Sequence, residues 1–178
     1  MVNLGSAYLQ LGDARRAIGY CEQALVIARE IGNRRGEGNA LGNLGSAYAH
    51  LGDARRAIGY YEQCLTIHRE IGNRHGEGAA LGNLGLAYAR LGDARRATGY
   101  HEQCLIIHRE IGDQRGAGDD LGNLGLAYLQ LGDARRAIGF HEQRLTITRE
   151  IGDRRGEGNA LGNLGLAYAA LGDARRAI

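Results

Sequence analysis

The chain has 178 residues, with 22 Arg and no Lys against 20 acidic residues, and a formal net charge of +2. That balance is too weak to attract nucleic acid by charge alone, and no run approaches the roughly eighteen apolar residues of a membrane span. Cys21, Cys64 and Cys104 make an odd count without disulfide-framework spacing, and no signal-peptide pattern follows Met1, so a reduced, cytoplasmic setting is expected.

From Asn3 onward the chain repeats every forty residues. Asn-Leu-Gly recurs at Asn3, Asn43, Asn83, Asn123 and Asn163. Gly-Asp-Ala-Arg-Arg-Ala follows at Gly12, Gly52, Gly92, Gly132 and Gly172. Fixed self-similarity of this length marks a solenoid, in which each unit buries its apolar face only against its neighbours. The repeats cover about 1–32 (partial), 33–72, 73–112, 113–152 and 153–178 (partial), a single array over 1–178. Neither end carries the polar outer face of a capping unit, so the array is expected to be a fragment of a longer protein. An open stack offers a long surface and no enclosed pocket, which puts binding ahead of catalysis.

The repeat 33–72 shows the elements in order. Ala40, Leu41, Leu44, Ala47, Tyr48 and Leu51 recur at steps of three and four, which predicts helix A over 34–51. Ala57, Ile58, Tyr61, Cys64, Leu65 and Ile71 predict helix B over 54–71 in the same way. Gly52 should end the first helix and Asp53 cap the second, with Gly72 and Asn73 doing the same at the next junction and Asp113 and Asp153 capping later ones. Turns this short make the two helices an antiparallel hairpin. Gly38, Gly42, Gly45 and Gly59 each cost roughly 0.8–1 kcal/mol inside a helix, so an isolated hairpin should not fold. Gly45 is expected to let the helices approach closely, whereas Gly42 and Gly59 have no packing reason visible in the sequence.

Leu41-x2-Leu44-Gly45-x2-Tyr48 followed by Ala57-x3-Tyr61 resembles the tetratricopeptide signature, with Leu41 in place of its usual Trp and Cys64 at the next small position. The match recurs in every unit. The unit is forty residues, not thirty-four, and it lacks the closing proline, because helix B runs on through Thr66-Ile67-His68-Arg69-Glu70-Ile71. This longer form is similar to the arrays of Pins/LGN-like adaptors and of bacterial signalling proteins, with His141-Glu142-Gln143-Arg144-Leu145 and Glu150-Ile151-Gly152-Asp153-Arg154 carrying the likeness. HEAT-type units are the structural alternative, disfavoured by the Leu-Gly-x2-Tyr and Ala-x3-Tyr spacings. The resemblance implies an all-α fold, an α-solenoid wound as a right-handed superhelix, whose A helices line a concave peptide-binding surface.

A second stripe on helix A turns away from the apolar face: Arg35, Asn39, Asn43, Ser46 and His50. Its counterparts are His75, Ala79, Asn83, Leu86 and Arg90; then Arg115, Asp119, Asn123, Leu126 and Gln130; then Arg155, Asn159, Asn163, Leu166 and Ala170. The resemblance places this stripe on the concave face. Asn43, Asn83, Asn123 and Asn163 would form an amide ladder able to pair with the main chain of an extended peptide, or would brace the scaffold. Arg35, His75, Arg115 and Arg155 beside it would favour acidic groups or stand as solvated helix starts. The pairs Arg55-Arg56, Arg95-Arg96 and Arg135-Arg136 read as solubilising surface.

Chemistry is weakly represented. Gly36-Glu37-Gly38-x3-Gly42 lacks the preceding strand that a phosphate loop needs. Asp119 and Asp120 are adjacent on a helix and should point apart. Cys64-x3-His68 and Cys104-x3-His108 carry zinc-type donors, but helix axes about 8–10 Å apart are too distant for the two pairs to share one ion, so both cysteines read as packing residues. No enzyme activity, cofactor, metal, nucleic-acid or membrane partner is expected. The expected function is a protein-interaction scaffold that binds an extended, acidic segment. The alternatives are a structural spacer that self-associates end to end, or a sensor arm regulating an attached signalling enzyme.

Overall fold

The computed structural model describes residues 4–173 together with Arg176. The Asn3 that opens the first repeat lies outside the described residues. The helices are α1 Leu4–Gln10, α2 Ala14–Glu30, α3 Arg34–His50, α4 Ala54–Glu70, α5 Arg74–Arg90, α6 Ala94–Glu110, α7 Gln114–Gln130, α8 Ala134–Glu150 and α9 Arg154–Leu171. The described residues include no strand, and no helix among them is long and apolar enough to cross a membrane. The chain divides into two compact units, Met1–Leu91 and Gly92–Ile178.

Local chemistry sets the helix ends. The Asp53 carboxylate accepts the Arg56 backbone N–H at 3.0 Å, and the Asn73 side chain accepts that of Gly76 at 3.2 Å. Every helix from α2 to α9 has such an Asp or Asn cap. At the far end Gly52 adopts a φ of +81°, and the Asp53 N–H reaches back to the Tyr48 carbonyl at 2.9 Å. This is the left-handed closure that glycine allows without a Cβ penalty.

Within each unit consecutive helices pack as hairpins. The predicted inner face of helix A holds: Ala40, Leu41, Leu44 and Ala47 are buried, as are Ala57, Ile58, Tyr61, Cys64 and Leu65 of helix B. Two expectations need correction. Leu51 is 48% exposed and Ile71 is 38% exposed. Each is the residue on which its helix ends, so its side chain leaves the packed face where the glycine turns the chain away. Ile67 and His68, in the added turn of helix B, are buried instead.

The helix-interior glycines divide into two kinds. A methyl at Gly45 would fall 2.5 Å from the Tyr61 ring, so α3 and α4 approach there as expected. At Gly42 it would meet the Cys64 sulfur at 3.3 Å, and at Gly38 the His68 ring at 3.0 Å. Gly42 therefore has a packing role after all, and Gly38 leaves space for the longer helix B. Gly59 faces open space, as do Gly19, Gly99 and Gly139. Gly59→Ala should accordingly stabilise the protein by about 0.5–1 kcal/mol through helix propensity. Gly45→Ala should destabilise it, because the buried ring has nowhere to move. Denaturant midpoints of the two variants on opposite sides of the parent would bear this out.

Ion pairs tie helix B to the next helix A. Glu37 bonds Arg29 at 2.8 Å and Arg34 at 2.6 Å. Glu77 bonds Arg69 at 2.9 Å and Arg74 at 2.5 Å. Glu157 likewise pairs with Arg149 and Arg154. The Gly-Glu-Gly stretch is thus the first turns of a helix whose carboxylate closes an interhelix clasp. The Arg29 hydrogen bond leads the effects holding the Glu37 carboxyl below its usual range. In the pairs Arg55-Arg56 and Arg135-Arg136 the second Arg is also more than a solubilising charge. Arg56 lies 5.3 Å over the Tyr48 ring, which stacks on Tyr60, and Arg136 lies 5.3 Å over Tyr128, which stacks on Phe140.

Candidate functional site

The A helices present the predicted stripe, and their packing determines which of its residues meet. In the first unit the backbone of α3 approaches those of α1 and α5, while α2 and α4 stay apart; in the second, α7 approaches α9 while α6 and α8 stay apart. The A helices therefore lie on the short side of each stack, where equivalent residues of successive repeats converge.

None of the stripe residues is buried. Arg35, His75, Arg115 and Arg155 are exposed; so are Asn39, Asn159, Leu86, Leu126, Leu166, His50, Arg90 and Gln130. Asn43, Asn83, Asn123, Asn163 and Ser46 are half-buried. Among the described residues the four asparagine amides make no side-chain hydrogen bond, and Arg35, Arg115 and Arg155 close no ion pair.

Five stripe residues share one hollow. A cleft of about 130 Å³ in the first unit is lined by Ser46 and His50 from α3 and by Asn83, Leu86 and Arg90 from α5, with Tyr61 of α4 beneath. Several walls are braced. The Tyr61 hydroxyl donates to Ser46 Oγ at 3.3 Å, Ser46 Oγ donates to the Gly42 carbonyl at 3.1 Å, and His50 Nδ1 approaches the Ser46 carbonyl at 2.8 Å. Arg90 crosses from α5 to donate to the Ala49 carbonyl at 3.3 Å. Burial raises the Tyr61 hydroxyl above its usual pKa, which keeps it a neutral donor. Asn83 alone among the polar wall residues has its side chain uncommitted. A shallower hollow of about 350 Å³ in the second unit lies among Tyr128, Arg136, Gly139, Phe140 and Gln143, a surface that the sequence did not single out.

The second unit departs from the pattern at Asp119 and Asp120. The two point apart, as expected: exposed Asp119 pairs with the largely buried Arg144 at 3.5 Å, whereas Asp120 is buried against His108 at 2.7 Å. The Arg144 guanidinium occupies the space over Gly122 that the Cys64 sulfur fills over Gly42. Burial pushes the Cys21 and Cys64 thiols up to about 11, so both behave as packing groups. Cys104 differs: its sulfur, a His108 nitrogen and an Asp120 oxygen all lie within 4.8 Å of one another. Sequence reasoning missed this set because it sought the second pair of donors at Cys64 and His68. The only signal was an Asp where the equivalent positions hold Ala40, Ala80 and Ala160.

Capped helical hairpins at a fixed interval, with a polar stripe on the A helices, define a tandem-repeat interaction module. The tetratricopeptide repeat model matches residues 1–70, 36–110, 76–150 and 121–178, so the chain belongs to the tetratricopeptide repeat family. It is therefore an α-solenoid protein-interaction scaffold. Among solved structures it is similar to BtubC from P. vanneervenii, with a TM-score of 0.88 and 25% identity over 98% of this chain and 72% of that one. It is also similar to a signal transduction ATPase with numerous domains and a tetratricopeptide repeat sensor from Pyrococcus horikoshii, at a TM-score of 0.85 and 21% identity over 97% of this chain and 28% of that one. A Rap protein solved in complex with competence and sporulation factor matches at 0.75 and 16% identity, over 97% of this chain and 58% of that one. Curated protein sequences provide no match.

Proposed function

We propose that the array acts as a non-catalytic cytoplasmic adaptor that captures an extended, acidic segment of a partner protein along the A-helix stripe. The observation that carries this reading is the cleft between α3 and α5, where Ser46, His50, Asn83, Leu86 and Arg90 from two successive repeats share one lining. A free carboxamide has two donors and one acceptor, so Asn83 can pair with both polar groups of a peptide main chain. Leu86 supplies an apolar contact, and Asn43 in the first unit and the Asn123 and Asn163 pair in the second offer the same pairing.

Charge argues for an acidic segment. Arg35, Arg115 and Arg155 stand exposed at the starts of α3, α7 and α9, without an ion-pair partner among the described residues. Positive charge at a helix start is unfavourable by roughly 0.3–1 kcal/mol, and a bidentate carboxylate partner would offset that cost. The Rap protein, bound to competence and sporulation factor, is a same-fold precedent for ligand capture.

A peptide array graded in Asp and Glu content, read by fluorescence anisotropy, tests the proposal. Acidic extended peptides should bind best, and affinity should fall as salt rises. Asn83→Ala with Asn123→Ala should weaken binding about tenfold or more, since each lost pairing is worth roughly 0.5–1.5 kcal/mol. Binding that survives the double replacement removes the ladder from the mechanism. Binding that is indifferent to peptide charge removes the Arg residues.

A further inference from the structure

Asp120 occupies a buried position of α7 at which α3, α5 and α9 carry the buried Ala40, Ala80 and Ala160. Its side chain is 5% exposed. A carboxylate placed in a core requires compensation, and α6 faces it with three donor groups. His101, Cys104 and His108 stand at i, i+3 and i+7, on one side of that helix. His108 Nδ1 is 2.7 Å from Asp120 Oδ2, and Cys104 Sγ is 3.7 Å from the same nitrogen. Nδ1 of His101, whose ring is 1% exposed, lies 3.6 Å from Asp120 Oδ1 and makes no hydrogen bond among the described residues.

We propose that Cys104, His108 and Asp120 form a binding site for a divalent transition metal of zinc's chemistry, with His101 as the outer partner of the Asp120 carboxylate. Tetrahedral zinc, with bonds of about 2.0–2.3 Å, holds a sulfur and a nitrogen about 3.5 Å apart and a nitrogen and an oxygen about 3.3 Å apart. The sulfur–nitrogen spacing is already near that value. The nitrogen–oxygen pair, now hydrogen-bonded, has to open by roughly half an ångström, which is one small rotamer adjustment.

Charge and surroundings support the assignment. A thiolate and a carboxylate together neutralise a dication, so the loaded site adds no net charge to the interior. The Cys104 proton passes to solvent as the Sγ–metal bond forms. With Nδ1 on the metal, His108 turns Nε2 toward Asp113 Oδ2, 3.9 Å away. Asp113 itself is held by the Gly116 N–H at 2.9 Å. A carboxylate behind a ligating imidazole is a common orienting arrangement. With Oδ2 on the metal, Asp120 leaves Oδ1 for the N–H of His101, which accounts for the orphaned nitrogen. A sulfur–nitrogen–oxygen donor set selects zinc-like ions over calcium or magnesium, which take oxygen ligands. The partly exposed edge of His108 gives an ion access.

Other repeats serve as internal controls. Cys64 and His68 on α4 face Ala80 on α5, so two donors are present and the third is absent. Arg144 and Thr148 on α8 face Ala160 on α9, which leaves no thiol or imidazole at those positions.

Cobalt(II) titrated into the chelator-stripped chain tests the site. One equivalent should produce visible d–d bands and a near-ultraviolet thiolate-to-metal absorption, and zinc should displace it. Asp120→Ala, which installs the residue of the other repeats, should keep the helical circular dichroism and weaken zinc binding at least about 100-fold. Cys104→Ser should abolish the thiolate band, and Cys64→Ala should leave it unchanged. The proposal is overturned if the parent shows no thiolate band. It is overturned equally if Asp120→Ala binds zinc within about threefold of the parent, or if Cys64→Ala abolishes binding.

Discussion

Leu124→Ala should cost about 3–4 kcal/mol of unfolding free energy. Leu124 is fully buried and packs with Leu105, Ala117 and Leu121, with Tyr128, Phe140 and Ile147 at the margin of the cluster. These neighbours come from α6, α7 and α8, so no single segment can collapse into the space left by the lost side chain. The cost then includes a residual cavity as well as the lost transfer energy. In a tandem array this loss falls on the affected repeat and its neighbours. Leu126→Ala, two residues on and 41% exposed in the candidate stripe, should change stability by no more than about 0.5 kcal/mol. Guanidinium unfolding followed by circular dichroism separates the two. Equal effects would contradict the division of α7 into a core face and a binding face.

The second large effect is a loss of stability between neutral and mildly acidic pH, centred on His141. Its ring lies in the space over Gly125, fully buried, and neither nitrogen has a hydrogen-bond partner among the described residues. Burial first, and then the Arg144 charge, push its pKa down to about 4. The unfolded imidazole titrates near 6.5, so between about pH 6.5 and 4 the unfolded chain binds the extra proton. Stability therefore falls as pH drops through that window and levels off below it. Between pH 7 and pH 5 the loss should be roughly 1–2 kcal/mol. His141→Phe should remove His141's share of this dependence and leave that of His68, whose imidazole is also held below its usual range by burial and then by Arg35. Phe is a better control than Tyr, because the Tyr61 hydroxyl bonds Ser46 and the equivalent residue here is Leu126. Urea midpoints at the two pH values provide the measurement; an unchanged slope in the variant would show that His141 is not the titrating group. Glu37, Glu77 and Glu157 have lowered pKa values, so their contribution is present above the ordinary Glu range and is lost only as pH falls below about 4.3. The two windows are therefore distinguishable.

What the sequence alone determined is what neighbouring residues control. The forty-residue interval, the helix bounds within a residue, the Asp and Asn caps, the glycine stops and the close approach at Gly45 were all legible. Each depends on contacts within one hairpin, where three- and four-residue spacing and backbone capping act over a few positions. The tetratricopeptide assignment came from the same local pattern. Tertiary structure decided what each side chain meets on another helix. Leu51 and Ile71 fit the apolar period but sit at helix ends, where the packed face has stopped. No partner for Glu37 was legible in the sequence, and its clasp to Arg29 came only with packing; the role of Gly42 likewise awaited the Cys64 sulfur. Asp120 is the sharpest case: one residue among repeated alanines, its surroundings set by His101, Cys104 and His108 on the preceding helix. Periodicity shows which face of a helix turns inward, but only packing brings residues a dozen or more positions apart within bonding distance.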